Sequence, residues 1–82
     1  MQLGVVTPQL IACVRDRGES PMVRHECAEA LGSIATEECV GVLKEFSGEG
    51  VERVVRESCV VALDMIEYEN SSEQFHYALN KE

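Results

Sequence analysis

Met22 to Ile34 reads MVRHECAEALGSI, and Val54 to Ile66 reads VVRESCVVALDMI. Moved along the chain by 32 residues, from Met22 to Val54, the first stretch lays Val, Arg, Cys, Ala, Leu and Ile on their counterparts in the second. The shared apolar positions are Val23, Cys27, Ala30, Leu31 and Ile34 in one copy, and Val55, Cys59, Ala62, Leu63 and Ile66 in the other. They fall at i, i+4, i+7, i+8 and i+11, which is one stripe of an α-helix. Val54, Val55, Val60 and Val61 are β-branched and favour strands. Period-two alternation, however, would place Arg56 and Asp64 on the same face as Val54 and Val60, whereas the 3.6 period leaves both charges outside the stripe of Val55, Cys59, Ala62, Leu63 and Ile66.

Boundary signals extend the helical reading outward from the repeat. Ser20-Pro21 supplies an N-cap and a first-turn proline, and Thr7-Pro8 predicts the same for a helix from Gln9 to Arg17 that ends before Gly18. Between the copies, Glu37 to Phe46 predicts a shorter helix with Cys39, Val42, Leu43 and Phe46 inward, broken by Ser47-Gly48-Glu49-Gly50. Ser71 or Ser72 predicts the cap of a last helix through Asn80, with Phe75, Ala78 and Leu79 as its apolar side. The expectation is an all-α, HEAT-like α-solenoid of about two and a half helix-pair repeats, or about five helices, occupying residues 1–82 as a single partial array. Met1 to Val5 fits no repeat register.

At 82 residues, one small domain is possible and two are not. A chain of this size buries only roughly 60–65% of its unfolded surface, so an isolated stack should be weakly stable or self-associating. Lys plus Arg total 7 against 15 Asp plus Glu, a net charge of −8, which repels a phosphate backbone or an anionic membrane. Neither nucleic acid nor a membrane is therefore expected as a partner. No apolar run approaches the ~20 residues that cross a bilayer, and Met1 to Val6 lacks the cationic start of a secretory leader. Cys13, Cys27, Cys39 and Cys59 form no C-x-x-C pair. Reduced, packed thiols in a cytoplasmic protein are expected.

His25-Glu26 is where the first copy departs toward chemistry, since the second copy has Glu57-Ser58 in register. Neighbouring helical residues diverge by about 100°, so the pair flanks one edge of its helix, off the apolar stripe. An imidazole nitrogen beside a carboxylate suits a first-row metal with mixed nitrogen and oxygen ligands. Taken alone, the pair reads as a surface feature near a helix start. Glu29, one turn on, either orients the imidazole or is a solvated helix carboxylate. Gly32 lets another helix or a substrate backbone approach. Met22 lines a substrate entrance or fills core. Arg24 and Arg56 recur in register and are expected to bridge repeats by pairing with acids. The acidic excess, including Asp64, Glu67, Glu69 and Glu73, suits either a cationic polyamine-like side chain or plain solvation.

The run from Ser20 to Gly32, followed by Val54 to Met65, closely resembles the C-terminal end of the deoxyhypusine hydroxylase family, and the resemblance extends from about Val6 to Tyr77. It implies a HEAT-repeat enzyme of two similar halves, with two His-Glu motifs in each. The four motifs would together bind two Fe(2+) ions, which activate oxygen to hydroxylate the deoxyhypusine residue of a translation factor to hypusine. His25 and Glu26 match the last motif and are thereby implied iron ligands, the imidazole acting through Nε2 or Nδ1 and Glu26 compensating charge. The other three motifs are absent, so the resemblance implies a C-terminal fragment that needs the missing N-terminal half and is inactive alone. The alternative is a noncatalytic HEAT scaffold that binds a protein on its concave face. Bilin lyase repeats are similar in helix spacing.

Overall fold

The computed structural model describes the backbone of residues 3–80 and the side chains of residues 6–70. Four helices make up the described chain: α1 (Leu3–Arg15), α2 (Pro21–Ile34), α3 (Glu37–Glu45) and α4 (Arg53–Asn80). No strand occurs among the described residues. The all-α solenoid expectation holds, with four helices in place of five.

Both departures in helix count and boundary have local causes. α1 begins at Leu3, and Pro8 lies inside it. Thr7 is buried instead of capping a helix end. Proline's fixed φ matches the helix, but Pro8 gives up its N–H donor and its ring crowds the carbonyl of Gly4 one turn back, a local cost that the helix carries. At the other end, α4 continues through Ser71 and Ser72 without a break. Neither glycine nor proline stands there, and a mid-helix serine costs at most about 0.7 kcal/mol relative to alanine. The apolar side assigned to Phe75, Ala78 and Leu79 lies outside the described side chains, and Met1 and Gln2 lie outside the described residues.

The caps of α2 and α3 follow the sequence. The Ser20 side chain accepts from the Met22 N–H at 3.2 Å with Pro21 in the first turn. Thr36 accepts from the Cys39 N–H at 3.3 Å. α2 closes on Ala35 in the left-handed region (φ 55°), whose N–H reaches the Leu31 carbonyl at 2.9 Å. Asp16 turns the chain out of α1 by accepting from the Gly18 N–H at 2.9 Å.

α2 is the central element and packs against α1, α3 and α4. Leu31, Leu43, Val14, Val55, Cys39 and Cys59 are fully buried at their junction. In α4 the stripe behaves as its spacing predicts: Val55, Cys59 and Ala62 are buried, and Leu63 and Ile66 pack against them. In α2 it is rotated. Val23 is 42% exposed, while Arg24 and Ala28 are buried. A helix held from three sides does not own a single inward stripe. The α3 assignments hold, with Cys39, Val42 and Leu43 buried and Phe46 packed on the core.

Gly32 serves helix approach: a Cβ there would stand 3.0 Å from the Ala62 Cβ, so its absence sets the spacing of α2 and α4. Arg24 also has a structural task, different from the expected acid pairing. Its Nε and Nη2 donate to the Val14 carbonyl at 3.0 and 2.7 Å, satisfying a last-turn oxygen of α1. Its contact with Glu52, at 3.9 Å, is secondary.

The cysteine expectation needs correction. Cys13 and Cys27 are joined as a disulfide that ties α1 to α2, with Cα atoms 6.4 Å apart. Two residues 14 apart in sequence meet here because the turn after α1 folds it back along α2, a tertiary proximity that no local cysteine spacing signals. Cys39 and Cys59 are free and buried. Burial raises the Cys59 thiol to a pKa of about 11, with the nearby Arg24 charge opposing the rise.

Candidate functional site

Facing residues of α2 and α4 leave a groove of about 530 Å³. α2 contributes His25, Glu29, Gly32 and Ser33. The opposite wall from α4 is mainly apolar, with Val54, Val61, Ala62, Met65 and Ile66, and carries Glu57, Ser58 and Glu69. The close approach at Gly32 and Ala62 sets its floor.

His25 reaches this groove from the second turn of α2, with its side chain 38% exposed. Nδ1 lies 2.6 Å from the Ser58 Oγ. The Ser58 hydroxyl in turn donates to the Val54 carbonyl at 2.6 Å, one turn back in α4. Nε2 lies 3.5 Å from Glu29 Oε2, and the Glu29 carboxylate is 70% exposed. Glu29 therefore faces the outer ring nitrogen, while the inner nitrogen is held by serine. Glu26 is exposed and does not line the groove. The structure thus brings His25 together with Glu29, Glu57 and Ser58, and places Glu26 elsewhere on α2.

The other residues singled out by sequence fall as follows. Met22 is 67% exposed and lines neither groove nor core. Arg56 is half-buried. Glu69 lines the groove, Asp64 and Glu67 are exposed outside it, and the Glu73 side chain lies outside the described residues. Glu57 pairs with Arg53 at 3.0 Å along α4.

Ser58 is the residue that sequence reading passed over. A signal existed: Glu57-Ser58 stands in repeat register with His25-Glu26, and stacked repeats bring equivalent positions of successive units to one groove.

No group of three or more His, Cys, Asp or Glu side chains among the described residues could hold a metal ion. The donor chemistry fits one corner of a metal centre. His25 Nδ1 lies against the Ser58 hydroxyl, Nε2 faces the groove beside Glu29, and carboxylates stand on both walls.

Helix pairing, repeat register and this groove define a segment of a HEAT-like α-solenoid. Residues 23–48 match the family of PBS lyase HEAT-like repeats. The chain is 59% identical over 78 residues to a deoxyhypusine hydroxylase of Xenopus laevis, covering 95% of this chain and 25% of that protein. It is 62% identical over 71 residues to a deoxyhypusine hydroxylase of Danio rerio, covering 87% of this chain and 23% of that one. In structure it is similar to human deoxyhypusine hydroxylase solved in complex with glycerol, with a TM-score of 0.72 and 54% identity over 79% of this chain and 22% of the human one. The chain is a homologue of deoxyhypusine hydroxylase along most of its own length, and spans about a quarter of the curated relatives it matches.

Among the described residues, no helix is long and apolar enough to cross a membrane.

Proposed function

We propose that this chain is the C-terminal HEAT-repeat segment of a cytoplasmic di-iron monooxygenase, one that hydroxylates the deoxyhypusine residue of a translation factor. Within it, His25 and Glu26 serve as iron ligands, and polypeptide outside this chain supplies the remaining ligands. The observation that carries the reading is the 59% identity over 95% of the chain to a deoxyhypusine hydroxylase. When bound, the iron pair supplies activated oxygen for insertion into a substrate C–H bond.

The chain's own residues supply binding and orientation. His25 presents Nε2 as a neutral donor, and Glu26 adds a carboxylate from the adjacent helical position. Across the groove, Val54, Val61, Met65 and Ile66 suit the methylenes of a long amine side chain, while Glu29, Glu57 and Glu69 suit its cationic nitrogens. Because the described residues hold no cluster of three or more metal-binding side chains and the chain carries one His-Glu motif, the isolated chain is expected to be inactive.

The test supplies what is missing. The chain is combined anaerobically with Fe(II), alone and with a separately produced remainder of a deoxyhypusine hydroxylase, then given oxygen and the deoxyhypusine-bearing factor. Iron retention and hydroxylation should require both parts and be lost in the His25→Ala, Glu26→Ala double variant. Turnover by an assembly carrying that variant removes both residues from the chemistry. Tight iron binding by the chain alone would mean further ligands within it. An assembly that forms but takes up no iron leaves the noncatalytic scaffold.

A further inference from the structure

We infer that Ser58 is a positioning residue: its hydroxyl, anchored on the Val54 carbonyl, fixes His25 as the Nδ1–H tautomer and so keeps the Nε2 lone pair free for a ligand role in the groove. The inference deepens the ligand reading above and rests on it only for the use to which Nε2 is put.

Two contacts compete to set the ring. The Ser58 hydroxyl has one proton, and the Val54 carbonyl lies 2.6 Å from its oxygen, so that proton is committed to the helix backbone. With the hydroxyl held in that way, what Ser58 offers His25 is a lone pair, and Nδ1, also at 2.6 Å, is placed to donate to it. The rival arrangement puts the proton on Nε2, pointing at Glu29 Oε2. That separation is 3.5 Å, at the outer limit of hydrogen bonding, and the carboxylate is 70% exposed to competing water. The rival also has to turn the Ser58 hydroxyl from the Val54 carbonyl to Nδ1, and the short, part-buried hydroxyl–carbonyl contact outweighs the long, solvated one to Glu29. Ser58 itself is 8% exposed, so the hydroxyl is held while the ring it orients faces the groove.

Oriented in this way, the imidazole meets the groove with an acceptor nitrogen beside a carboxylate. A ligand histidine commonly has its second nitrogen fixed by a hydrogen-bond partner, which also raises its basicity. Serine does this here from the neighbouring repeat, at the position in register with Glu26.

The experiment reads the tautomer directly, without metal or turnover. Imidazole nitrogen NMR is recorded on the 82-residue chain at about pH 8, where an ordinary histidine is neutral, and His76→Gln assigns the two rings. The expected result is Nδ1 in the N–H range and Nε2 in the lone-pair range for His25. Ser58→Ala should shift His25 toward the tautomer mixture of a free histidine, and Ser58→Thr, which keeps the hydroxyl, should restore the wild-type pattern. A wild-type ring protonated at Nε2 overturns the inference without any variant having to fold. An unchanged pattern in folded Ser58→Ala overturns the role of the serine. If the tautomer is as stated but an assembled enzyme carrying His25→Ala retains its iron, the ligand reading falls and the positioning contact stands.

Discussion

Replacing Arg24 with methionine tests how α1 is held to the rest of the stack. The guanidinium is buried and places two donors on one carbonyl, that of Val14, at 3.0 and 2.7 Å. Methionine keeps most of the aliphatic stem and its packing, so the loss isolates the polar end. A hydrogen bond from a charged group contributes about 1.5–3 kcal/mol net, and stripping a buried carbonyl of its donor puts the cost toward the top of that range. The contact with Glu52 adds little, because at 3.9 Å with a half-exposed partner it belongs with pairs worth about 0–1 kcal/mol. The expected destabilisation is therefore about 2–3 kcal/mol, a large part of the roughly 4–12 kcal/mol ordinary for 82 residues. In urea, with a slope near 1 kcal/mol/M for so small a chain, the midpoint should fall by about 2 M or more. Far-UV circular dichroism with the Cys13–Cys27 bond intact is the assay, and Glu52→Gln is the control, expected to shift stability by less than about 0.5 kcal/mol. A midpoint for Arg24→Met within about 0.5 M of wild type would refute the capping argument. A Glu52→Gln loss as large as that of Arg24→Met would show that the ion pair, not the carbonyl, carries the contact.

Reducing the Cys13–Cys27 bond, or replacing both cysteines with serine, should cost about 3 kcal/mol, the chain-entropy value for a loop of roughly 15 residues; equal urea midpoints with and without reductant would contradict this. The Cys59 thiol, raised from 9.0 to about 11 by burial, makes stability depend on pH at the alkaline end. Its contribution is fully present below about pH 9 and is lost as the pH rises toward 11, because the unfolded chain releases the proton first; Cys59→Ala should flatten that part of the melting profile. Gly32→Val should push α2 from α4 and cost about 1–3 kcal/mol, since even a bare Cβ meets Ala62 at 3.0 Å. Ala62→Gly should recover part of that loss, and purely additive losses in the double variant would show that the two positions do not share a contact.

Much of the architecture was legible because it rests on short-range rules. Ser20-Pro21 caps as its side chain dictates, and the α4 stripe of Val55, Cys59 and Ala62 is buried as its period requires. What escaped sequence reading involves choices between local and tertiary terms. Thr7-Pro8 is a good cap and also a tolerable helix interior, and the apolar residues before it select the second. Ser71 and Ser72 cap only where a helix breaks, and nothing there forces a break. Val23 and Arg24 exchange the burial expected of them because α2 is contacted from three sides, and a buried carbonyl at the end of α1 draws in the arginine. The disulfide was hidden for the same reason, its cysteines becoming neighbours only after α1 folds back.

The candidate site divides along similar lines. Of the His-Glu dipeptide singled out in the sequence, only His25 reaches the α2–α4 groove, since a helix turns about 100° per residue. That groove cannot by itself offer both members of the pair to one ion, so the proposed centre requires a further element to meet Glu26 on its own side of α2. Within the groove, the second repeat carries Glu57-Ser58 where the first carries His25-Glu26, and Glu57 and Ser58 face His25 from the equivalent turn. A stack of near-identical units can therefore build one specialised site from unequal copies, one copy presenting the donor nitrogen and the next fixing its tautomer.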